Sequence, residues 1–282
     1  MRARVFLTGF MLLCLLVIQG GCNFHAGESE ENSMLFDSIV VDKTYHLLEN
    51  PENPNCNLQI KFVYPAKYTD PGILVKIQKQ FVEDYFGENY SALQPKEAVD
   101  AYTNDYIVAY KDLEPEFKEN LEKTNGESVG AWYSYYEMSS DVIRYNKRNL
   151  VSYTVKFENY TGGAHGSHSF NNHVIDLNTG NKVKEQDIFV ENFEDELSKI
   201  LVDHIAKLNN VSEAKKLEEI GFFSVDEIYP NGNFLIDETG ITYTFNEYEI
   251  AAYVVGTINV HIPFDDIKYL LKADGLLASL LD

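Results

Sequence analysis

The chain has 282 residues, and its 23 Lys and Arg against 44 Asp and Glu give a formal net charge of −21. So acidic a balance excludes a nucleic-acid binder, because like charges repel, and it favours a basic partner. Three cysteines are too few for a disulfide scaffold, so a chain of this length rests on a hydrophobic core.

Arg2 and Arg4 precede an apolar run over 5–18, followed by Gln19-Gly20-Gly21-Cys22. A basic start, a short apolar core and small residues before a cysteine predict a lipoprotein signal peptide over 1–21 and lipidation at Cys22. The run is short for a transmembrane helix. Gln19 replaces the apolar residue usual three before such a cysteine, and the alternative is ordinary cleavage to a soluble secreted protein. Loss of 1–21 removes Arg2, Arg4 and no acidic residue, moving the net charge from −21 to about −23. Cys14 leaves with that peptide, so Cys56 is a lone thiol, read as quiet or partly buried rather than catalytic. Residues 22–32, with Glu28, Glu30 and Glu31, form an acidic tether. It resembles the patches that send lipoproteins to the outer surface. The expected location is the cell envelope, lipid-anchored to a membrane and displayed outward.

Residues 33–139 read as an N-terminal α+β module. Strands are predicted over 38–47 and 58–64, on either side of a turn-rich segment holding Pro51 and Pro54. Pro71 opens a helix in which Ile73, Leu74, Ile77, Phe81 and Tyr85 recur at three and four before Gly87. A second helical stretch runs from Pro95 to Thr124, restarted by Pro115. The segment 130–142 is predicted as an aromatic-rich strand. Its Trp132, Tyr133, Tyr135 and Tyr136 serve either cross-strand packing or a sugar-stacking platform.

Residues 140–282 read as a C-terminal α+β domain organised around 159–189, NYTGGAHGSHSFNNHVIDLNTGNKVKEQDIF. Just before it, Val151, Tyr153, Val155 and Phe157 alternate with Ser152, Thr154, Lys156 and Glu158, which turns one face of a strand inward. Gly162, Gly163 and Gly166 permit a shaped loop, and Asn178-Thr179-Gly180-Asn181 marks a hairpin turn returning at Lys182 and Val183. His165, His168 and His173 invite a zinc reading. On a strand, however, His168 and His173 differ by an odd number of positions and face opposite sides, so neither metal nor cofactor is expected. Further on come a helix over 193–208 with His204 in its apolar stripe, a short helix to Leu217 capped by Ser212, and a hairpin loop at 237–240. Glu247 and Glu249 stand two apart as a candidate carboxylate pair. A closing helix after Pro263 would carry Ile267, Leu270, Leu271, Leu276 and Leu277.

YTGGAHG, followed by a strand, the DLNTG turn and DIF, resembles the extracytoplasmic domain of RsiV-type anti-sigma factors. That lysozyme-sensing domain is related to the non-catalytic N-terminal region of the peptidoglycan deacetylase PdaC, in a family mostly of unknown function. The later stretch ITYTFNEYEIAAYVVGTINVHIPF resembles the same family, and together the matches cover about 140–271. The sigma-binding segment and membrane helix of the one relative, and the deacetylase domain of the other, are not expected here, so the resemblance implies binding or sensing.

The expected fold is α+β, a mixed or antiparallel sheet with packed helices in two closely associated modules. The expected function is a non-catalytic envelope lipoprotein that binds or senses lysozyme or peptidoglycan, with no nucleic-acid partner and membrane contact through Cys22. The candidate ligand surface comprises Tyr160, Gly162, Gly163, His165 and His168, unless His165 and the glycines serve only the loop's own hydrogen bonds. No Gly-x-Ser-x-Gly, His-Glu-x-x-His or P-loop pattern occurs. The alternative is a wall-glycan hydrolase, whose two carboxylates a linear search misses.

Overall fold

The computed structural model describes residues 32–124 and 130–281. The signal peptide over 1–21, Cys22 and the acidic tether up to residue 31 lie outside the described residues.

Strands β1 (Leu35–His46) and β2 (Asn55–Lys67) pair antiparallel. β2 then pairs parallel with β3 (Tyr135–Lys147), which requires a long crossover. Helices α1 (Pro71–Phe86), α2 (Pro95–Lys111) and α3 (Glu114–Lys123) supply it. Each begins with proline in its first turn, where a missing N–H costs nothing, and Asp70 caps α1 by accepting from the N–H groups of Gly72 and Ile73. The sheet continues antiparallel through β4 (Leu150–Tyr160), β5 (Ser167–Asp176) and the two-residue β6 (Asn181–Lys182), in the order 1-2-3-4-5-6. A second sheet, β7 (Phe234–Ile236), β8 (Gly240–Phe245) and β9 (Ile258–Pro263), is antiparallel throughout. The fold is α+β with one mixed and one antiparallel sheet.

The strand expected over 130–142 begins later than expected. Residues Gly130–Tyr133 make a helical turn, α4, closed by Ser134 Oγ donating to Gly130 O at 2.9 Å. Tyr133 turns inward onto Phe117 of α3, with ring centroids 5.3 Å apart, so a core contact overrides the β preference of its neighbours.

β4 was expected to bury one face, yet residues 150–155 are buried on both. Val151, Tyr153 and Val155 pack with Ile77 and Phe81 of α1. On the other side Leu150 joins Phe245, Ile262, Ile188 of the short helix α5 (Glu185–Ile188) and the helix α6 (Glu194–Leu208) in a second core. The polar residues on that side are absorbed by hydrogen bonds across the two sheets. Ser152 Oγ donates to Ile236 O at 2.7 Å, Thr154 Oγ1 to Asn172 Oδ1 at 2.8 Å, and Asn172 Nδ2 to Thr244 Oγ1 at 2.7 Å. Asn233 accepts from Asn172 N at 2.7 Å and donates to Phe170 O and Thr244 O, both at 2.9 Å. Buried polar groups paired this completely cost little and fix how the sheets sit together.

Two other expectations are corrected. The closing helix is broken into α7 (Phe264–Ile267), a 3-10 turn (Lys268–Leu270), a bridge from Leu271 to Phe189 and α8 (Ala278–Leu281). Leu270, Leu271 and Leu277 all enter the second core, and a chain that wraps a core in this way cannot stay one straight rod. The segment after Ser212 is a 3-10 helix, Ala214–Ile220, whose N-cap is Glu213 and has no side-chain cap.

Candidate functional site

The loop 161–166 joins β4 and β5 at the edge of the sheet where Tyr160 pairs with Tyr136 of β3. Gly162 and Gly163 have φ of 86° and 107°, a region in which other residues are strained. Gly166 is packed so closely that an added Cβ would lie 2.7 Å from Asn159 O. Tyr160 Oη donates to Gly163 O at 2.9 Å, and His165 Nδ1 donates to Gly166 O at 2.8 Å. Tyr160 also stacks on its cross-strand partner Tyr136, with centroids 6.1 Å apart.

The other contact of the His165 ring comes from far along the chain. It stacks on Tyr253 at 4.6 Å, and Tyr253 leans on Tyr248 at 5.6 Å. Tyr248 is exposed and has φ of 65°, a left-handed conformation uncommon without glycine. Val254 beside them is 89% exposed. Sequence reasoning missed Tyr248 and Tyr253 as site residues. The signal available for them was the family resemblance of the stretch 241–264, which contains both.

His168 is held elsewhere, between two carboxylates: Nε2 lies 3.8 Å from Glu158 Oε1 and Nδ1 lies 3.5 Å from Glu247 Oε1. Glu249 takes no part, because it accepts from Asn246 N at 2.7 Å and Asn231 Nδ2 at 2.6 Å. The candidate pair Glu247 and Glu249 is therefore split between two jobs.

His173 faces the opposite side of β5. Its Nδ1 is 3.5 Å from Asp84 Oδ2, and burial pushes its pKa down against the pull of Asp84. Asp84 also accepts from Tyr153 Oη at 2.5 Å and pairs with Lys182. The three histidines thus occupy three separate surroundings. Among the described residues no group of three or more His, Cys, Asp or Glu side chains is arranged to hold a metal ion.

Cys56 is buried, and burial pushes its thiol up to about 11. His204 packs at a helix edge with Nε2 3.0 Å from Asp266 Oδ2. Beside the glycine loop, Glu116, Asn120, Trp132, Tyr135 and Gly162 border a cleft of about 500 Å³ that Tyr253 does not line.

The profile of a family described as "Protein of unknown function (DUF3298)" matches residues 186–265. Among solved structures, a member of that family from Bacteroides fragilis superposes with a TM-score of 0.84 at 33% identity, covering 89% of this chain and 98% of its own. The chain belongs to the DUF3298 family. A DUF3298 protein from Pseudomonas aeruginosa shares the fold at a TM-score of 0.59 and 13% identity, over 86% of this chain and 96% of its own. The profile described as "Deacetylase PdaC" matches residues 50–168. No curated protein matches the chain.

The two matched stretches meet at the surface just described. The PdaC-like stretch supplies the glycine loop with His165, and the DUF3298 stretch supplies Tyr248 and Tyr253. Together they mark an RsiV/PdaC-like, envelope-associated domain of unknown function. Among the described residues no helix is long and apolar enough to cross a membrane.

Proposed function

We propose that this protein is a non-catalytic binding domain of the cell envelope, held to a membrane by lipid on Cys22, whose glycine-loop face docks a basic extracytoplasmic protein such as a lysozyme. The observation that carries the proposal is the row His165, Tyr253 and Tyr248, set on backbone in left-handed conformations at Gly162, Gly163 and Tyr248. Accessible tyrosines on a rigid support are characteristic of protein-binding surfaces, and strained backbone concentrates at functional sites. The formal charge of −21 would speed encounter with a basic partner. The resemblance to lysozyme-sensing domains points to the same ligand. The alternative is a wall-glycan hydrolase, for which the carboxylates brought together at His168 are Glu158 and Glu247.

The test is calorimetry of the mature chain carrying Cys22→Ala against a basic lysozyme, at low salt and at about 150 mM salt. Micromolar or tighter binding that survives the higher salt, and that is lost in both His165→Ala and Tyr253→Ala, is the expected result. Binding that disappears with salt is charge attraction alone and rejects the proposal, as does no binding.

A further inference from the structure

The four aromatics between 132 and 136 do not share one role. Tyr133 is buried and Tyr135 half-buried, whereas Trp132, the single Trp of the chain, is 70% exposed. It is nevertheless firmly placed. Its neighbour Tyr133 is locked against Phe117, Tyr110 Oη donates to Tyr133 O at 2.5 Å, and a Cβ on Gly162 would lie only 3.2 Å from Trp132 O. An indole can bury roughly 150–250 Å² of surface, so leaving one in water on a rigid turn forgoes a substantial gain. Here it borders a cleft of about 500 Å³, within the range of roughly 300–1,000 Å³ typical of small-molecule sites.

The opposite wall is polar and ordered. Leu113, Glu116 and Asn120 also line the cleft, and their spacing of three and four places them on one side of α3. Tyr133 Oη donates to Glu116 Oε1 at 2.9 Å and accepts from Asn120 Nδ2 at 2.7 Å. That triad fixes a carboxylate and an amide while using one oxygen of the first and only the nitrogen of the second. An aromatic face across from fixed oxygen acceptors suits a ligand with one apolar C–H face and a rim of hydroxyl donors.

We infer that the cleft between α3 and the glycine loop is a binding subsite for a pyranose ring of a wall glycan, stacked on Trp132 and hydrogen-bonded by Glu116 and Asn120. The inference rests on the envelope location proposed above but not on lysozyme recognition. Among the described residues a cationic side chain fits less well, because the one carboxylate lining the cleft already accepts from Tyr133 and the remaining polar lining, Asn120, Thr161, Tyr133 and Tyr135, is neutral.

Because the chain has a single Trp, fluorescence excited beyond tyrosine absorption reports on this cleft directly. N-acetylglucosamine oligomers and solubilised peptidoglycan strands are titrated into the mature chain carrying Cys22→Ala. The expected result is a saturable blue shift. By calorimetry, Trp132→Ala lowers glycan affinity at least about ten-fold without moving the thermal midpoint, Asn120→Ala lowers it less, and His165→Ala leaves it unchanged. No saturable shift, an affinity indifferent to Trp132→Ala, or a shift produced by an arginine-rich peptide and not by glycan would each overturn the inference. Lysozyme binding retained in Trp132→Ala and lost in His165→Ala would separate the two sites, so either proposal can fail alone.

Discussion

Asp141 offers a sharp test of the energetics. It lies on β3 just beyond the point where β2 and β3 stop pairing, at Lys61 and Ser140. Its Oδ1 accepts from Val63 N at 2.5 Å, while its buried Oδ2 has no hydrogen-bond partner. At 1% exposure, burial dominates the backbone donors and Lys61 and raises its pKa from 3.8 to about 7. Below the lower value the carboxyl is protonated in both the folded and unfolded states. Between the two values only the unfolded chain ionises, so stability falls as pH rises, and above the upper value the loss is complete. The gap corresponds to a ceiling of about 4 kcal/mol. Asp141→Asn keeps the acceptor for Val63 and removes the titration. In urea unfolding, wild type and variant should be nearly equal at about pH 4, with the variant more stable by about 2–4 kcal/mol at about pH 8. Burial also raises the pKa of Glu137, but that contribution is common to both proteins. Equal stability at the higher pH, or the same difference at both, would refute the reasoning.

Gly166→Ala should destabilise by about 1–3 kcal/mol in thermal unfolding through its clash with Asn159 O. Gly163→Ala, with open space around it, should cost only the backbone strain of about 1 kcal/mol, so equal effects would count against the loop geometry. Asn233→Ala leaves Asn172 N without its partner, while Phe170 O and Thr244 O keep second donors in Asn246 and Asn231; a loss of about 1–2 kcal/mol and faster amide exchange at Asn172 are expected. Cys56, with its thiol pushed up to about 11, should react with thiol reagents only at the rate of global unfolding, and rapid labelling of the native protein would show the thiol to be accessible.

The local elements were largely legible. The two-residue alternation over 150–160 coincides with β4, and Pro71, Pro95 and Pro115 each stand at the start of a helix, because proline fixes φ whatever surrounds it. The aromatic segment was misread where packing intervened: Tyr133 satisfies Phe117, Glu116 and Asn120 at once, and no local propensity encodes that. The closing segment failed likewise, since its leucines have helical spacing but are claimed by different parts of one core. At the candidate site, the glycine loop stood out from its composition. Tyr248 and Tyr253 did not, because what matters is their position beside His165 and not their spacing.

By itself the sequence determined what depends on near neighbours: the strand period, the helix starts, the hairpin turn at 178–181, the glycines that permit a shaped loop and the strongly acidic charge. Tertiary structure alone decided that β4 would be buried on both sides, that the polar face of β4 and β5 would be absorbed by a seam of Asn and Thr, and which distant groups, Tyr253, Glu247 and Asp84, each of the three histidines would meet. Those outcomes depend on groups distant in the chain competing for the same contacts, and that competition is resolved only when the second sheet closes on the first.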